Sequence, residues 1–216
     1  MTASMQLYLT FEAGGTSPEA DVARLQAVLK ASAVASALIR PAAGTELDAR
    51  TVATLVFVLQ KHGIAALLAD DAALAKAIKA DGIHLTWSKD IVARYADARR
   101  ALGPTAFIGA DAGRSRHDAM ELGEANADYV AFGIPPHVED RAKAEERQCD
   151  LIAWWSEIFE IPCVAFDVAD ADQAKAVANT GADFVTVPVP ASMTPAGAAA
   201  AVKTIANAVS ESRVTA

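Results

Sequence analysis

Three short stretches decide the fold: Ala80-Asp81-Gly82-Ile83-His84, Ala127-Asp128-Tyr129-Val130 and Gly181-Ala182-Asp183-Phe184-Val185. Each follows a run with helical spacing and leads into an apolar, strand-like run. A small residue followed by aspartate suits a tight turn from helix to strand, with the carboxylate bonded to free backbone N–H groups. The aspartates recur at intervals of about fifty residues, roughly two βα units.

Strand-like runs lie at 7–12, 35–40, 65–70, 82–87, 106–110, 129–133, 163–167 and 184–189. Helical patterns separate them. The stretch 20–33 carries Val22, Leu25, Val28 and Leu29, and 51–61 carries Val52, Leu55, Val56 and Leu59. Further helices are expected at 72–79, 90–101, 115–125, 149–159, 170–179 and 195–209. Strands alternating with helices imply βαβ units and a parallel sheet. Eight such units in 216 residues close most economically into one α/β domain spanning 1–216, a (β/α)8 TIM barrel. The competing open, doubly wound sheet usually starts with a Gly-rich phosphate loop. Here that place reads Phe11-Glu12-Ala13-Gly14-Gly15-Thr16, which is not GxGxxG.

Two features bear on the rim of such a barrel. Thr194 is a good N-cap and Pro195 fits the first helical position. The helix start after the eighth strand is either a phosphate site or ordinary capping. The polar segment 134–147, opened by Pro135-Pro136, reads as a long loop on the catalytic face.

Composition narrows the partners. The net charge of −8 and the absence of a Lys/Arg run exclude nucleic acid as the expected partner. Apolar runs are short and interrupted by charge, so no membrane span is expected. Met1 to Gln6 does not read as a signal peptide. Cys149 and Cys163 form no CxxC or metal-ligand pattern, which suits reduced thiols in the cytoplasm. A small anionic metabolite remains compatible with the acidic chain, because one Arg or a helix start can hold a phosphate. In Trp154-Trp155, adjacent helical residues face different directions, so one indole is expected on the barrel and the other is a candidate for a homodimer contact.

The polar residues at the strand exits are Glu12, Arg40, Asp70, Asp71, His84, Ser88, Lys89, Asp90, Asp111, His137 and Asp167. Arg40 is placed either to hold a phosphate or to pair with Glu12 or Asp70. Asp70 and Asp71, with Asp90 or Asp111, suit Mg2+, or one of them caps the next helix. His84 is a buried, hydrogen-bonded residue or a base, and His137 is a loop acid or base.

From the third strand on, the chain resembles the thiamine-phosphate synthase/TenI family. Leu67-Leu68-Ala69-Asp70-Asp71-Ala72-Ala73-Leu74-Ala75 and Ala80-Asp81-Gly82-Ile83-His84-Leu85 are similar to its I-N-D-x-x-x-L-A and A-D-G-V-H-L. Phe107-Ile108-Gly109-Ala110, Asp128-Tyr129-Val130-Ala131-Phe132-Gly133 and Ile161-Pro162-Cys163-Val164-Ala165 resemble later strands of the family, in order. The resemblance implies a transferase of thiamine biosynthesis. It would join a pyrimidine diphosphate to a thiazole phosphate with Mg2+ and release pyrophosphate. The implied ligand is a small phosphorylated or heterocyclic metabolite.

Position by position, the resemblance is uneven. Arg40 and Asp70 stand where the family has an arginine and a metal-binding aspartate. Lys89 stands where a second metal ligand belongs, with Asp90 one residue late. Asp111 replaces a serine, and Phe166-Asp167 is expected to fill the place of a Gly-Gly that approaches the thiazole phosphate. TenI-type isomerases use a histidine after the sixth strand; His137 lies in that loop, out of register. The expected catalytic groups are therefore Arg40, Lys89, His137 and Asp167. Arg40, His84, Asp111 and Gly133 are the expected substrate contacts, and Asp70 and Asp90 the metal ligands. A TenI-like isomerase and a non-catalytic ligand-binding barrel are the alternative functions.

Overall fold

Alternation of side chains along eight strands builds the two cores of the molecule. In the computed structural model, which describes residues 5–15, 17–134 and 138–212, the strands are β1 (Gln6–Ala13), β2 (Ser36–Pro41), β3 (Ala65–Ala69), β4 (Gly82–Leu85), β5 (Phe107–Asp111), β6 (Tyr129–Phe132), β7 (Cys163–Ala165) and β8 (Phe184–Val189). Each is parallel to the next, and β8 pairs with β1 to close the barrel. The helices are α1 (Pro18–Ala31), α2 (Ala49–Lys61), α3 (Ala72–Ile78), α4 (Ile91–Leu102), α5 (Arg116–Glu124), α6 (Arg141–Ile158), α7 (Ala171–Ala178) and α8 (Pro195–Glu211). The expected barrel is thus the observed one.

Because successive strand residues face opposite sides, Leu7, Leu9 and Phe11 pack outward under the helices. Tyr8, Leu38, Leu67, Tyr129, Ala131, Val164 and Phe166 fill the interior as a separate cluster. Gly109 lets Tyr129 cross the barrel, since a methyl group there would collide with the Tyr129 ring.

The three repeated aspartates do more than make turns. Asp81 accepts the Ala66 N–H at 2.7 Å, Asp128 that of Ile108 at 2.7 Å and Asp183 that of Cys163 at 2.8 Å. Each backbone N–H of these aspartates also donates to the carbonyl of the same partner residue. Every one therefore clamps the start of its own strand to the start of the preceding one.

Several element bounds differ from expectation, and β4 stops at Leu85 rather than at 87. The polar stretch 141–147 is the first two turns of α6, not loop. Asp140 caps it through the Lys143 N–H, and Ala144, Gln148, Leu151, Ile152 and Trp155 form its buried stripe. Its solvent face is charged from the start, which masks the period. Strands β3 and β7 end earlier than expected, because Asp70 and Asp167 have φ of 57° and 58°. Left-handed backbone cannot continue a strand. Trp155 is buried, while Trp154 packs on Trp155 and Phe159 and lies under the Arg116 guanidinium.

Candidate functional site

The exits of β5, β6 and β7 bring two carboxyl groups together over one glycine. Asp111 Oδ1 accepts the N–H groups of Gly113 at 2.7 Å and Gly133 at 2.9 Å. Asp167 Oδ2 accepts the Ile134 N–H at 3.1 Å. A methyl group on Gly133 would strike Asp111 Oδ2 and lie 2.9 Å from Asp167 Oδ2, so only glycine fits between them. Burial, reinforced by the charge of Asp167, pushes the Asp111 carboxyl up to about 7. Burial also raises Asp167, but the Ile134 N–H and the charges of Arg40 and Arg141 pull it back.

Other exit amides are satisfied in the same manner, from within the chain. Gly14 N–H donates to Asp21 and Ala191 N–H to Glu12. On the β7–α7 connection, Val168 N–H donates to Thr186 Oγ1 at 3.3 Å and Ala169 N–H to Gln173 Oε1 at 2.8 Å. At the start of α8, Gly197 N–H donates to Thr194 Oγ1, the capping alternative. Phe166 takes no part in this arrangement. It was expected to crowd the rim, but its side chain points into the barrel and stacks on His84 at 4.5 Å. The side chain that reaches the rim at this point is that of Asp167.

Arg40 pairs with Glu12 at 2.9 Å, the ion-pair alternative, and remains 41% exposed. Asp70 belongs to a separate cluster. Its Oδ1 accepts from Thr86 N–H and pairs with Arg94, while Oδ2 accepts from Thr86 Oγ1 at 2.6 Å. Asp71 caps α3 through the Leu74 N–H. Lys89 and Asp90 are exposed, and Asp90 occupies the cap position of α4 without a side-chain cap bond. These residues do not fit Mg2+, because the Asp70 carboxylate is already taken by Arg94 and Thr86. Among the described residues no group of three acidic, His or Cys side chains is placed to hold a metal. His137 lies outside the described residues.

Below the rim, His84 is fully buried. Its Nδ1 is 2.9 Å from the Tyr129 hydroxyl, which is 2.8 Å from the Tyr8 hydroxyl. Burial pushes the imidazole down to about 4 and raises both phenols, so all three are neutral at pH 7. Nε2 has no partner. If Tyr8 donates to Tyr129 and Tyr129 to Nδ1, both hydroxyls are satisfied and the proton sits on Nε2. That N–H faces away from the tyrosines.

The family model described as thiamine monophosphate synthase matches residues 7–189. The chain belongs to that family. It is similar to the thiamine-phosphate synthase of Erythrobacter litoralis, 42% identical over 141 residues, 64% of this chain and 65% of that protein, just under two thirds. With the thiamine-phosphate synthase of Rhodospirillum centenum it shares 35% over 186 residues, covering 86% and 88% of the two chains. Among solved structures, thiamine phosphate pyrophosphorylase from Pyrococcus furiosus superposes with a TM-score of 0.73 at 21% identity, covering 96% of both chains. Mycobacterium tuberculosis tryptophan synthase gives 0.72 at 15%, covering 95% and 93%. These two likenesses show the barrel alone.

In this thiamine monophosphate synthase-like barrel, the residues that shape the rim include several the sequence reading passed over. Arg24 and Asp21 form a buried pair at 2.8 Å, and Arg24 also donates to the carbonyls of Glu12 and Ala191. It thereby ties the exits of β1 and β8 to α1. Gln148 donates to the carbonyls of Phe132 and Phe166, both at 2.6 Å, and accepts from Gln173. This glutamine pair locks the exits of β6 and β7. The available signal was a polar residue on a core stripe: Asp21 and Arg24 beside Leu25 and Val28, and Gln148 between Ala144 and Leu151.

Proposed function

We propose that this family member binds a small, unphosphorylated, thiamine-type heterocycle at its C-terminal mouth and does not perform the Mg2+-dependent coupling. One observation carries the reading: the exit amides of β5, β6 and β7 donate to Asp111, Asp167, Thr186 and Gln173. A phosphate held on backbone N–H groups needs those donors, and it would meet the Asp167 carboxylate. Arg40, Gly133 and the Asp111–Asp167 pair supply the polar contacts, and an acid poised near neutrality can either donate or accept a hydrogen bond. The two unpaired cysteines support a cytoplasmic site of action.

The second reading is full synthase activity, favoured by 35% identity to a thiamine-phosphate synthase over 86% of the chain. The two are separated by mixing the protein with the pyrimidine diphosphate, thiazole phosphate and Mg2+. No pyrophosphate is expected. Melting-temperature shifts are expected with the thiazole alcohol but not with its phosphate. Pyrophosphate release that Asp70→Ala abolishes would establish the second reading and discard the first.

A further inference from the structure

The opposite, N-terminal mouth of the barrel is hollow. Tyr8, Leu67, Tyr129, Val164 and Phe184 wall a cavity of about 300 Å³, with Phe107 at its edge. It is open because Ala35, Ser36 and Ala65 supply little bulk on the β2–β3 side. The hollow is half open to solvent, and water gains few partners against its mostly apolar walls. Phe107 is 51% exposed, so an aromatic edge meets solvent at the entrance.

The hydroxyls of Tyr8 and Tyr129 and the carboxylate of Asp128 are already committed, while Gln6 and Ser36 add an uncharged amide and hydroxyl to the lining. The Tyr8 and Tyr129 hydroxyls bond to each other and to His84 inside the barrel. Asp128, the one charged lining residue among the described residues, is held by the Ile108 N–H and by Arg99. A charged ligand would lose its hydration here without a counter-charge, whereas ring faces accept another ring in stacked or edge contact. The buried His84–Phe166 layer separates this hollow from the C-terminal mouth.

We propose that this cavity is a second binding site, for a neutral one- or two-ring aromatic molecule. It is independent of what the C-terminal mouth binds. The test titrates indole into the full chain, followed by methyl NMR and melting temperature. Saturable shifts of the Leu67 and Val164 methyls are expected, with Ile134 at the other mouth unmoved. Ala65→Phe and Ser36→Phe fill the cavity from different strands, and each should weaken indole by about tenfold or more, while Ala65→Ser should retain binding. If one filling variant fails to fold, the other decides. No methyl shift up to the solubility limit, or undiminished affinity in a folded filling variant, overturns the site.

Discussion

Aspartates organise both ends of this barrel, but they do different work. At the N-terminal end, Asp81, Asp128 and Asp183 repeat one geometry, each gripping an N–H at the start of the preceding strand. At the C-terminal end, Asp70, Asp111 and Asp167 occupy three unlike settings: an arginine pair, a buried bed of amides and a left-handed turn between two guanidinium charges. Repetition belongs to the end that holds the fold. Left-handed non-glycine backbone occurs at both ends, at Lys79 and Asn126 below and at Asp70 and Asp167 above, but carboxyls with displaced protonation, Asp111 and Asp167, lie at the end where such barrels bind their ligands.

The largest effect should come from breaking a lower clamp. Asp128→Ala strands the Ile108 N–H and removes the carboxylate that pairs with Arg99, which keeps the Tyr95 hydroxyl and the Gly103 and Ala106 carbonyls. A loss of about 2–3 kcal/mol in urea unfolding is expected, with ligand binding at the C-terminal mouth unchanged. If binding fell with stability, the two ends would not be separable.

An intermediate effect should appear at Asp111. Its folded-state value of about 7 lies above the ordinary 3.8, so the unfolded chain loses the proton first as pH rises. Stability is full below about pH 4 and is lost between there and pH 7. Asp111→Asn keeps an acceptor for Gly113 and Gly133 but removes this slope. At about 1.4 kcal/mol per displaced pH unit the whole shift corresponds to about 4 kcal/mol; because the amide brings its own N–H donors into the buried site, a gain of about 1–2 kcal/mol over the wild type is expected at pH 7. His84 acts with opposite sign: with about 4 folded against 6.5 ordinarily, it costs stability as pH falls from 6.5 towards 4. The variant should therefore lose stability on acidification across that window, a trend the wild type partly cancels. Urea unfolding from pH 4 to 8 checks both.

The smallest effect on stability belongs to Arg40→Ala. The Glu12–Arg40 pair is partly exposed, and below about 1 kcal/mol is expected. A much larger change should appear in heterocycle affinity at the C-terminal mouth. The reverse pattern would move Arg40 from the site to the scaffold.

The fold was legible because hydrophobic alternation, helical spacing and the Asp-bearing turns all point to one answer. Residues at strand exits, such as Arg40, Asp70, Asp111 and Asp167, were also legible as rim groups. Their partners were not. Nothing in the local pattern says that Asp70 meets Arg94, which follows it by 24 positions, or that Asp167 reaches the Ile134 amide. Phe166 and Asp167 show the same limit: which of two neighbours faces the mouth depends on where β7 stops, and the left-handed turn at Asp167 sets that point.

The buried carboxyl of Asp111 has one more consequence. A guest anion comes and goes with its concentration, whereas a carboxyl group tethered to the chain is present at every dilution. The backbone at Gly113 and Gly133 thus keeps its acceptor whatever is dissolved around the molecule.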